Sequence, residues 1–438
     1  MSERTPLLGH HRRAPPVYAY PAVIAVLLLL LFPILLIAHN LPNKNEAIWI
    51  RNLGAYAPLI PHRIPPLPGG CSVDQVSVLH RHTARYPTSG AAVRLRKTLA
   101  KLVNATDPFL RTADLTMKGW EFGELTQPGR EAARASGLDF RHYALPPFIR
   151  SSGARRVLDS AHLFLSSLGR GIVDVIIPEG ESVNNTLCVH SCPAQRSSHS
   201  GETQVSEVIH LLGPAAARLS SLWNVQLEPE DIPNIAGMCG FDSARTGRWS
   251  SWCSLLTTDE WEAVGYVGEV GRWYAFGGGS AGWVNELVAR LTDSAVVDGT
   301  CTNRTLDANP ATFPLGQRLF IDFTHDNEMV AIQAALGINR RVLVQGSVPP
   351  REWVLSEIVP FGARWRFERV VCGPKRERFI RMLINDRVMP VERPECGGTL
   401  CPLDAFVASQ KESRERDWAI CAPDGMEISN QDAYIWML

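Results

Sequence analysis

The chain has 438 residues, of which 45% are hydrophobic, so it can bury a large core in about two or three structural units. Lys and Arg number 44, and Asp and Glu also number 44, which gives a formal net charge of zero. This balance excludes a general nucleic-acid binder, because such proteins carry a basic excess, and any anion site must be local.

The N-terminal segment has the pattern of a membrane anchor. Residues 1–16 form a short polar tail, where Glu3 and Leu7-Leu8 resemble an acidic dileucine sorting signal, although an unstructured tail explains them equally well. Residues 17–38 contain no charged side chain and reach about 33 Å as a helix, enough to cross a bilayer. We predict an N-terminal single transmembrane helix. A cleaved signal peptide is the alternative, and the protein would then be secreted.

The charges that flank this span predict its orientation. Arginines precede residues 17–38, whereas Lys44 and Glu46 follow them, so the positive-inside rule indicates a single-pass type II protein. The bulk of the chain would be lumenal (vacuole or endosome) or extracellular. Three glycosylation sequons lie after the span, at Asn104, Asn184 and Asn303. All ten cysteines also follow it, which indicates disulfides; their spacing suggests no metal site.

A Pro-rich stalk is predicted over residues 39–70, ending in PHRIPPLPGG. The folded domain is expected to span residues 71–438. Its first element is the strand DQVSVLH, which leads directly into Arg81 and His82. The RHTARYP cluster, which also contains Arg85, fits a solvated basic loop, a nucleic-acid contact or an anion pocket. A helical pattern follows from Gly90, so His82 is expected at the carboxyl end of a strand, where α/β sheets bind ligands.

Helices and loops are predicted for the middle of the chain, with a helical insertion over roughly residues 88–260. One of these helices, ARRVLDSAHLFLSSL, has apolar residues from Val157 to Leu168 on one face. Arg150 precedes it in a predicted turn. A second strand–turn–helix unit contains the apolar run Leu319 to Phe323, then His325 and Asp326, and then a helix to about Leu336.

These residues together have the chemistry of a phosphatase site. Arginine donates in pairs to phosphate oxygens, a histidine can form a phospho-intermediate, and a carboxylic acid can protonate the leaving oxygen. No residue is specific alone, since an Asp before a helix is a common cap. The joint occurrence of two His-bearing strand ends, one with arginines and one with an acid, favours the anion pocket.

RHTARYP resembles the RHGxRxP signature of the histidine acid phosphatases, and His325-Asp326 resembles the partner HD motif. Further segments, among them FIRSSGARRVLDSAHLF, TLDANPATFPL and LINDRVMPV, resemble the fungal phytase branch in the same order. The resemblance implies an α/β fold: a mixed sheet with flanking helices (phosphoglycerate-mutase-like) plus a smaller helical domain. It implies no metal and no cofactor. It makes His82 the nucleophile and Asp326 the proton donor, with phosphate bound by Arg81, Arg85, Arg150 and His325.

The resemblance also implies how the cysteines pair. It suggests Cys71–Cys372, Cys239–Cys253, Cys396–Cys401 and Cys192–Cys421, which leaves Cys188 and Cys301 as a fifth pair. One departure from the family signature is Thr83, where Gly is usual. A side chain there would crowd the pocket or disfavour a backbone conformation that Gly allows.

The expected activity is acid phosphatase action on small-molecule phosphate monoesters, with phytate (myo-inositol hexakisphosphate) a candidate substrate. The phytase branch often has lysines near Arg94 and paired lysines near Arg272, whereas this chain has Glu269 and few cations there. We therefore expect broad monoester specificity and a weaker phytate preference than in a dedicated phytase. A mutase-like phosphotransferase fits the membrane and cysteine features poorly. A non-catalytic glycosylated membrane pseudophosphatase is the alternative from a different class.

Overall fold

The computed structural model describes residues 42–180, 184–188, 200–277, 282–300, 302–338, 342, 344–391, 396 and 398–411. The chain divides into two compact units, residues 1–47 and residues 48–438. Of the first unit, residues 42–47 are described, and Lys44 begins helix α1 there. The sheet and the candidate site lie in the second unit.

Among the described residues, one mixed sheet of eight strands organises the second unit, in the order β3-β2-β4-β1-β5-β6-β7, with β8 paired to β6. β3, β2, β4 and β1 are mutually parallel, whereas β5, β6 and β7 continue the sheet in antiparallel pairs. The expected mixed α/β architecture is confirmed. The strands are β1 Cys71–Arg81, β2 Pro147–Ser152, β3 Val175–Ile177, β4 Leu319–Thr324, β5 Arg364–Cys372, β6 Glu377–Ile384, β7 Arg387–Met389 and β8 Cys401–Pro402.

Helices cover the sheet and form a helical layer beside it. They are α1 Lys44–Asn52, α2 Ser89–Leu102, α3 Pro108–Thr112, α4 Gln127–Phe140, α5 Arg155–Leu168, α6 Ser200–Val208, α7 Gly213–Trp223, α8 Ile232–Thr246, α9 Thr258–Phe276, α10 Gly282–Thr292, α11 Asp326–Ala335, α12 Leu355–Ile358 and α13 Leu403–Ser409. Their limits follow local signals: Thr257 and Glu260 form a capping box before α9, and Gly169 ends α5 with a positive φ of 86°.

The central strands β1 and β4 are buried because helices pack on both faces of the sheet. Val76 and Val78 of β1 point into a cluster with Ile321 of β4 and with Val157 and Phe164 of α5. Leu79 points to the opposite face and joins the larger core that includes the helical layer. This alternation is the period-two pattern of a strand covered on both sides.

Part of the segment predicted as a stalk, residues 39–70, is folded into the core. Leu53, Ala55 and Ala57 are buried in the core, and the Ala57 carbonyl oxygen accepts the backbone N–H of Phe361 at 2.9 Å. This segment therefore packs into the core, and the folded unit begins well before Cys71. Residues 59–68 have no regular secondary structure and are largely exposed.

The predicted helical insertion over residues 88–260 also needs correction. β2 and β3 fall within that range and are strands of the main sheet, and α5 packs on the sheet rather than in the helical layer. The helical layer is built from α2, α3 and α6–α9. It extends to Phe276, beyond the predicted limit. Arg150 lies in β2, not in a turn.

Three of the expected disulfides are present, Cys71–Cys372, Cys239–Cys253 and Cys396–Cys401. The first joins the start of β1 to the end of its antiparallel neighbour β5, where the two residues are register partners. The pair Cys192–Cys421 lies outside the described residues, as does Cys301 of the fifth pair. Within the described ranges no helix is long and apolar enough to cross a bilayer; the predicted transmembrane segment, residues 17–38, falls outside them.

Candidate active site

The carboxyl ends of β1 and β4 bring two histidines together. The strands are parallel neighbours, with Arg81 opposite Thr324. The backbone N–H of His82 donates to the Thr324 carbonyl oxygen at 3.1 Å. The ring centroids of His82 and His325 are therefore only 5.7 Å apart. Residues distant in sequence meet where α/β sheets bind ligands, as the strand pattern predicted.

His82 is fully buried, and the backbone fixes its tautomer. Nδ1 lies 2.9 Å from the Thr83 carbonyl oxygen, which can only accept, so Nδ1 carries the proton. Nε2 has no hydrogen-bond partner among the described residues. Burial and the positive charges of Arg81, Arg85 and Arg156 hold the pKa of His82 well below its ordinary value. The ring is neutral with an unshared Nε2 lone pair, which is the nucleophilic form.

The Arg81 guanidinium is buried, and backbone carbonyl oxygens hold one of its nitrogens. Its Nη1 donates to the carbonyl oxygens of Ala55 at 2.5 Å and Val359 at 2.7 Å, and the Phe361 ring lies 4.7 Å from Cζ. Nε and Nη2 make no hydrogen bond to any described residue. Burial lowers the pKa of Arg81 to about 10, so it stays charged at neutral and acidic pH. A charged fork with two unused donors suits a phosphate group.

Arg85 adds a second cation at the same site. Its Nη1 donates to the Tyr86 carbonyl oxygen at 2.9 Å, while Nε has no partner within the described chain. Burial lowers the pKa of Arg85, and the nearby charges of Arg156 and Arg272 lower it further. Several like charges held together in a buried site raise its free energy, so the arrangement favours an anionic ligand.

Arg150 does not face this group, contrary to the sequence-based expectation. Its Nε and Nη2 each donate to Asp322 at 2.8 Å, and Nη2 also contacts Glu286. Arg290 donates to the same Asp322 carboxylate at 2.8 Å. Burial alone would lower the pKa of Arg150, but Asp322 and Glu286 raise it well above its ordinary value. Arg150 is thus neutralised within a buried ion network.

Arg156 occupies the place that was expected for Arg150. It lies in the first turn of α5, and its Nη2 donates to Nδ1 of His325 at 3.0 Å. Its charge also contributes to the lowered pKa of His82. A helix N-terminus favours anions, so its position was a usable signal. Arg150, six positions earlier in the same segment, was predicted in its place.

Asp326 lies at the start of α11 between two arginines. Its Oδ2 is 3.5 Å from Arg81 Nη2 and 3.2 Å from Arg272 Nη1. Burial raises the pKa of Asp326, but Arg81 and Arg272 outweigh burial and hold it well below its ordinary range. Arg272 also contacts the side chain of Asn327. Sequence reasoning treated Arg272 as a remote cation, whereas the structure places it on the expected proton donor.

His325 is engaged on both ring nitrogens. Nε2 lies 2.6 Å from Glu179 Oε1 and 3.2 Å from Ser152 Oγ, while Nδ1 accepts from Arg156. Nε2 therefore carries the proton and can donate it to an oxygen anion. Burial lowers the pKa of His325, and Glu179 opposes that shift. Glu179, on the loop after β3, is a site residue that no motif indicated.

Thr83, the departure from the family signature, fits without backbone strain. Its φ is outside the left-handed region, so no conformation reserved for glycine is needed here. The Thr83 backbone N–H donates to Ser160 Oγ at 3.1 Å, and Oγ1 lies 3.3 Å from the same atom. The side chain thus packs toward α5 and helps to hold the backbone that orients His82.

The site as a whole combines several arginines with a buried histidine and a carboxylate. Of the groups that the structure describes, none brings three or more His, Cys, Asp or Glu side chains together in a way that would hold a metal ion. Arg81, Arg85 and Arg156 supply charge, His82 supplies the lone pair, and Asp326 supplies a carboxyl. This combination can transfer a phosphoryl group by nucleophilic attack and proton transfer.

Comparison with known proteins agrees with this chemistry. The family described as histidine phosphatase superfamily (branch 2) matches residues 72–385. Phytase A of Aspergillus fumigatus is 36% identical over 401 residues, covering 81% of this chain and 86% of that protein. Phytase A of Aspergillus oryzae is 37% identical over 369 residues, covering 74% and 79%.

Solved structures share the fold at lower identity. The phytase from D. castellii superposes with a TM-score of 0.67 at 20% identity, covering 85% of this chain and 87% of that one. A multiple inositol polyphosphate phosphatase from Bifidobacterium longum, in complex with inositol hexasulfate, gives 0.57 at 11% identity, covering 83% and 98%. The chain therefore belongs to branch 2 of the histidine phosphatase superfamily, as a phytase-like histidine acid phosphatase.

Proposed function

We propose that this chain hydrolyses phosphate monoesters at acidic pH through a covalent phosphohistidine at His82. The observation that supports this most strongly is the neutral, buried His82 ring, whose Nε2 has no partner among the described residues and is surrounded by Arg81, Arg85 and Arg156. A module that only bound anions would need the arginines. It would not need a nucleophile of fixed tautomer beside a carboxyl.

In the first step, the arginines hold the peripheral oxygens of the phosphate, and Nε2 of His82 attacks phosphorus. The P–N bond forms as the bond from phosphorus to the leaving oxygen breaks. The proton on Nδ1 stays hydrogen-bonded to the Thr83 carbonyl, which stabilises the positive charge that develops on the ring. We assign Asp326 as the donor that protonates the leaving oxygen.

The proton on Asp326 has to arrive with the substrate. Without a ligand, Arg81 and Arg272 keep the carboxyl ionised. A bound phosphate neutralises part of that positive charge, which raises the pKa of Asp326. A monoester has a second pKa of about 6, so below that pH it enters as a monoanion carrying a proton that Asp326 can accept and pass on. This accounts for an acidic optimum without a protonated carboxyl in the free protein.

In the second step, a water molecule attacks the phosphohistidine. Asp326, now ionised, accepts a proton from that water, the P–N bond breaks, and inorganic phosphate leaves with His82 restored to its neutral form. Asp326 then passes the proton from water to the departing phosphate, which leaves as the monoanion, so the carboxyl is ionised again. The same carboxylate acts as acid and then as base, as microscopic reversibility requires.

The substrates are proposed to be small phosphate monoesters, with phytate among them. The similarity to fungal phytases supports inositol phosphates, and the pocket binds one phosphoryl group at a time. Arg272 is paired with Asp326, so it is a weaker attractor for further phosphates than a free lysine. We therefore propose broad monoester specificity, with less preference for phytate than a dedicated phytase has.

A lumenal or extracellular location is also proposed, with a single N-terminal anchor over residues 17–38. The disulfides support an oxidising compartment. Of the three sequons, Asn104 is exposed, whereas Asn184 and Asn303 are half-buried. Asn104 is thus the most accessible acceptor. Carbonate washing and deglycosylation of the protein made in a eukaryotic host test the anchor and the glycans.

The function is tested by phosphate release from the full chain across pH, with p-nitrophenyl phosphate, glycerol 2-phosphate and phytate. The expected result is turnover of all three with an acidic optimum. Asp326→Asn is expected to reduce turnover of glycerol 2-phosphate far more than that of p-nitrophenyl phosphate, because only a poor leaving group needs strong protonation. Phosphate binding without turnover would instead favour a pseudophosphatase.

A further inference from the structure

A cavity of about 460 Å³ lies beside the proposed proton donor. It is bounded by the segment after α1, by α6, α8 and α9, and by Asn327 next to Asp326. Val264, Gly268 and Arg272 follow one another at four-residue intervals along α9, so they share the helix face that forms one wall. Arg272 belongs to the cavity lining and also contacts the Asp326 carboxylate, so the cavity adjoins the candidate active site.

The lining of this cavity is largely apolar. Ile209, Val205, Phe276, Leu53 and Ala236 contribute hydrocarbon surface, and several glycines leave space between them. Of the lining residues that the structure describes, only Arg272 is charged, and its charge is matched by Asp326. The cavity beside Asp326 thus offers hydrocarbon contact rather than further cations.

We propose that this cavity is a leaving-group subsite for an apolar organic group, such as an aromatic ring or a short hydrocarbon, carried on a single phosphate. This inference rests on the proposed phosphatase activity and identifies the class of ester that the site takes best. Apolar surface entering the cavity gains free energy in proportion to its area. A second phosphate in the same place would lose its hydration without gaining a free cation, so a polyphosphorylated ring is disfavoured there.

Gly268 provides a direct test of the subsite. A Cβ at this position would have no heavy atom within 4 Å, so a side chain can enter the space without a backbone clash. Gly268→Leu is expected to fill the subsite, and Gly268→Ala is the matched control because it makes the same backbone change with little volume. Ile209→Thr is a second probe, which makes the wall more polar and shortens the side chain by one methyl group.

The assay compares kcat/KM for 1-naphthyl phosphate and ethyl phosphate in the full chain, with melting temperatures as a check of folding. The wild type is expected to have a higher kcat/KM for the naphthyl ester than for the ethyl ester. The same ratio in Asp326→Asn measures the part of this preference that comes from leaving-group acidity. Gly268→Leu is expected to reduce that preference by about tenfold and Ile209→Thr by about threefold, whereas Gly268→Ala leaves it nearly unchanged.

The proposal is overturned if folded Gly268→Leu and Ile209→Thr leave the naphthyl-to-ethyl ratio of the wild type unchanged. It is equally overturned if phytate has a higher kcat/KM than naphthyl phosphate at moderate salt. Both results would leave the proposed phosphatase function intact, because the ethyl ester would still be hydrolysed. Failure of the proposed function would appear instead as no phosphate release from any ester by the wild type.

Discussion

Substituting Arg156 separates its role from that of Arg150. Arg156 is in hydrogen-bond contact with His325 and lowers the pKa of His82, whereas Arg150 is paired with Asp322 and Glu286. Arg156→Ala should therefore reduce catalysis while leaving the fold largely intact. Arg150→Met should destabilise the fold while leaving the chemistry of the folded fraction largely intact.

The magnitudes follow from what each guanidinium contacts. A hydrogen bond from a charged group contributes about 1.5–3 kcal/mol, so Arg156→Ala should lower kcat/KM by about 10- to 150-fold. Removing Arg150 leaves Asp322 and Glu286 with less compensation in a buried site, and breaking a buried ion pair costs about 3–5 kcal/mol of stability. Where Arg150→Met is still folded, kcat/KM should stay within about threefold of the wild type.

The assay is kcat/KM with p-nitrophenyl phosphate at a temperature where circular dichroism shows both variants folded, together with denaturant unfolding. Arg156→Lys and Arg150→Lys are matched variants that keep the charge. Inorganic phosphate at about 100 times its Kd should stabilise the wild type by about 2.7 kcal/mol, and should stabilise Arg156→Ala less at the same concentration. A catalytic loss on replacing Arg150, with Arg156→Ala near normal, would refute this assignment.

Three further outcomes are expected. Burial lowers the pKa of His80 to about 3. Below about pH 6.5 the unfolded chain therefore binds a proton at His80 that the folded chain does not bind. The free energy of unfolding should fall as the pH drops from about 6.5 towards 3. Urea unfolding across that range should show a weaker pH dependence for His80→Asn, and equal slopes would contradict the pKa shift. The alkaline limb of kcat/KM should move with the second pKa of the ester when aryl phosphates of different acidity are compared; a limb fixed for all esters would place the titration on the enzyme. The double substitution Cys71→Ser and Cys372→Ser should lower the free energy of unfolding by about 2–5 kcal/mol, measured by denaturant unfolding. An unchanged value would show that the disulfide does not stabilise the pairing of β1 with β5.

The parts of the site that follow a strand end were predictable from sequence. Alternating apolar residues before His82 and an apolar run before His325 identify two buried strands, and parallel neighbours place their carboxyl ends at the same edge. The pairing of Cys71 with Cys372 was implied by the family resemblance and is confirmed. These features depend on local pattern or on a conserved order of segments.

The residues that were missed depend on long-range packing. The position of Arg156 at a helix N-terminus was the only local signal; the main difference arises because Asp322 and Glu286, far from both arginines in sequence, neutralise Arg150 and not Arg156. Likewise, Ala55 lies in a segment whose proline content suggested a linker, yet its carbonyl oxygen holds Arg81. Glu179 reaches His325 from a loop with no motif.

The most direct test of the account is to identify the phosphorylated residue during turnover. The full chain is mixed with an aryl phosphate, quenched within milliseconds under alkaline conditions that preserve phosphohistidine, digested, and analysed by mass spectrometry. We expect one phosphoryl group on the peptide that contains His82, located on His82, and none in His82→Ala, which should also be inactive. A phosphoryl group on another residue, or full activity in His82→Ala, would contradict it.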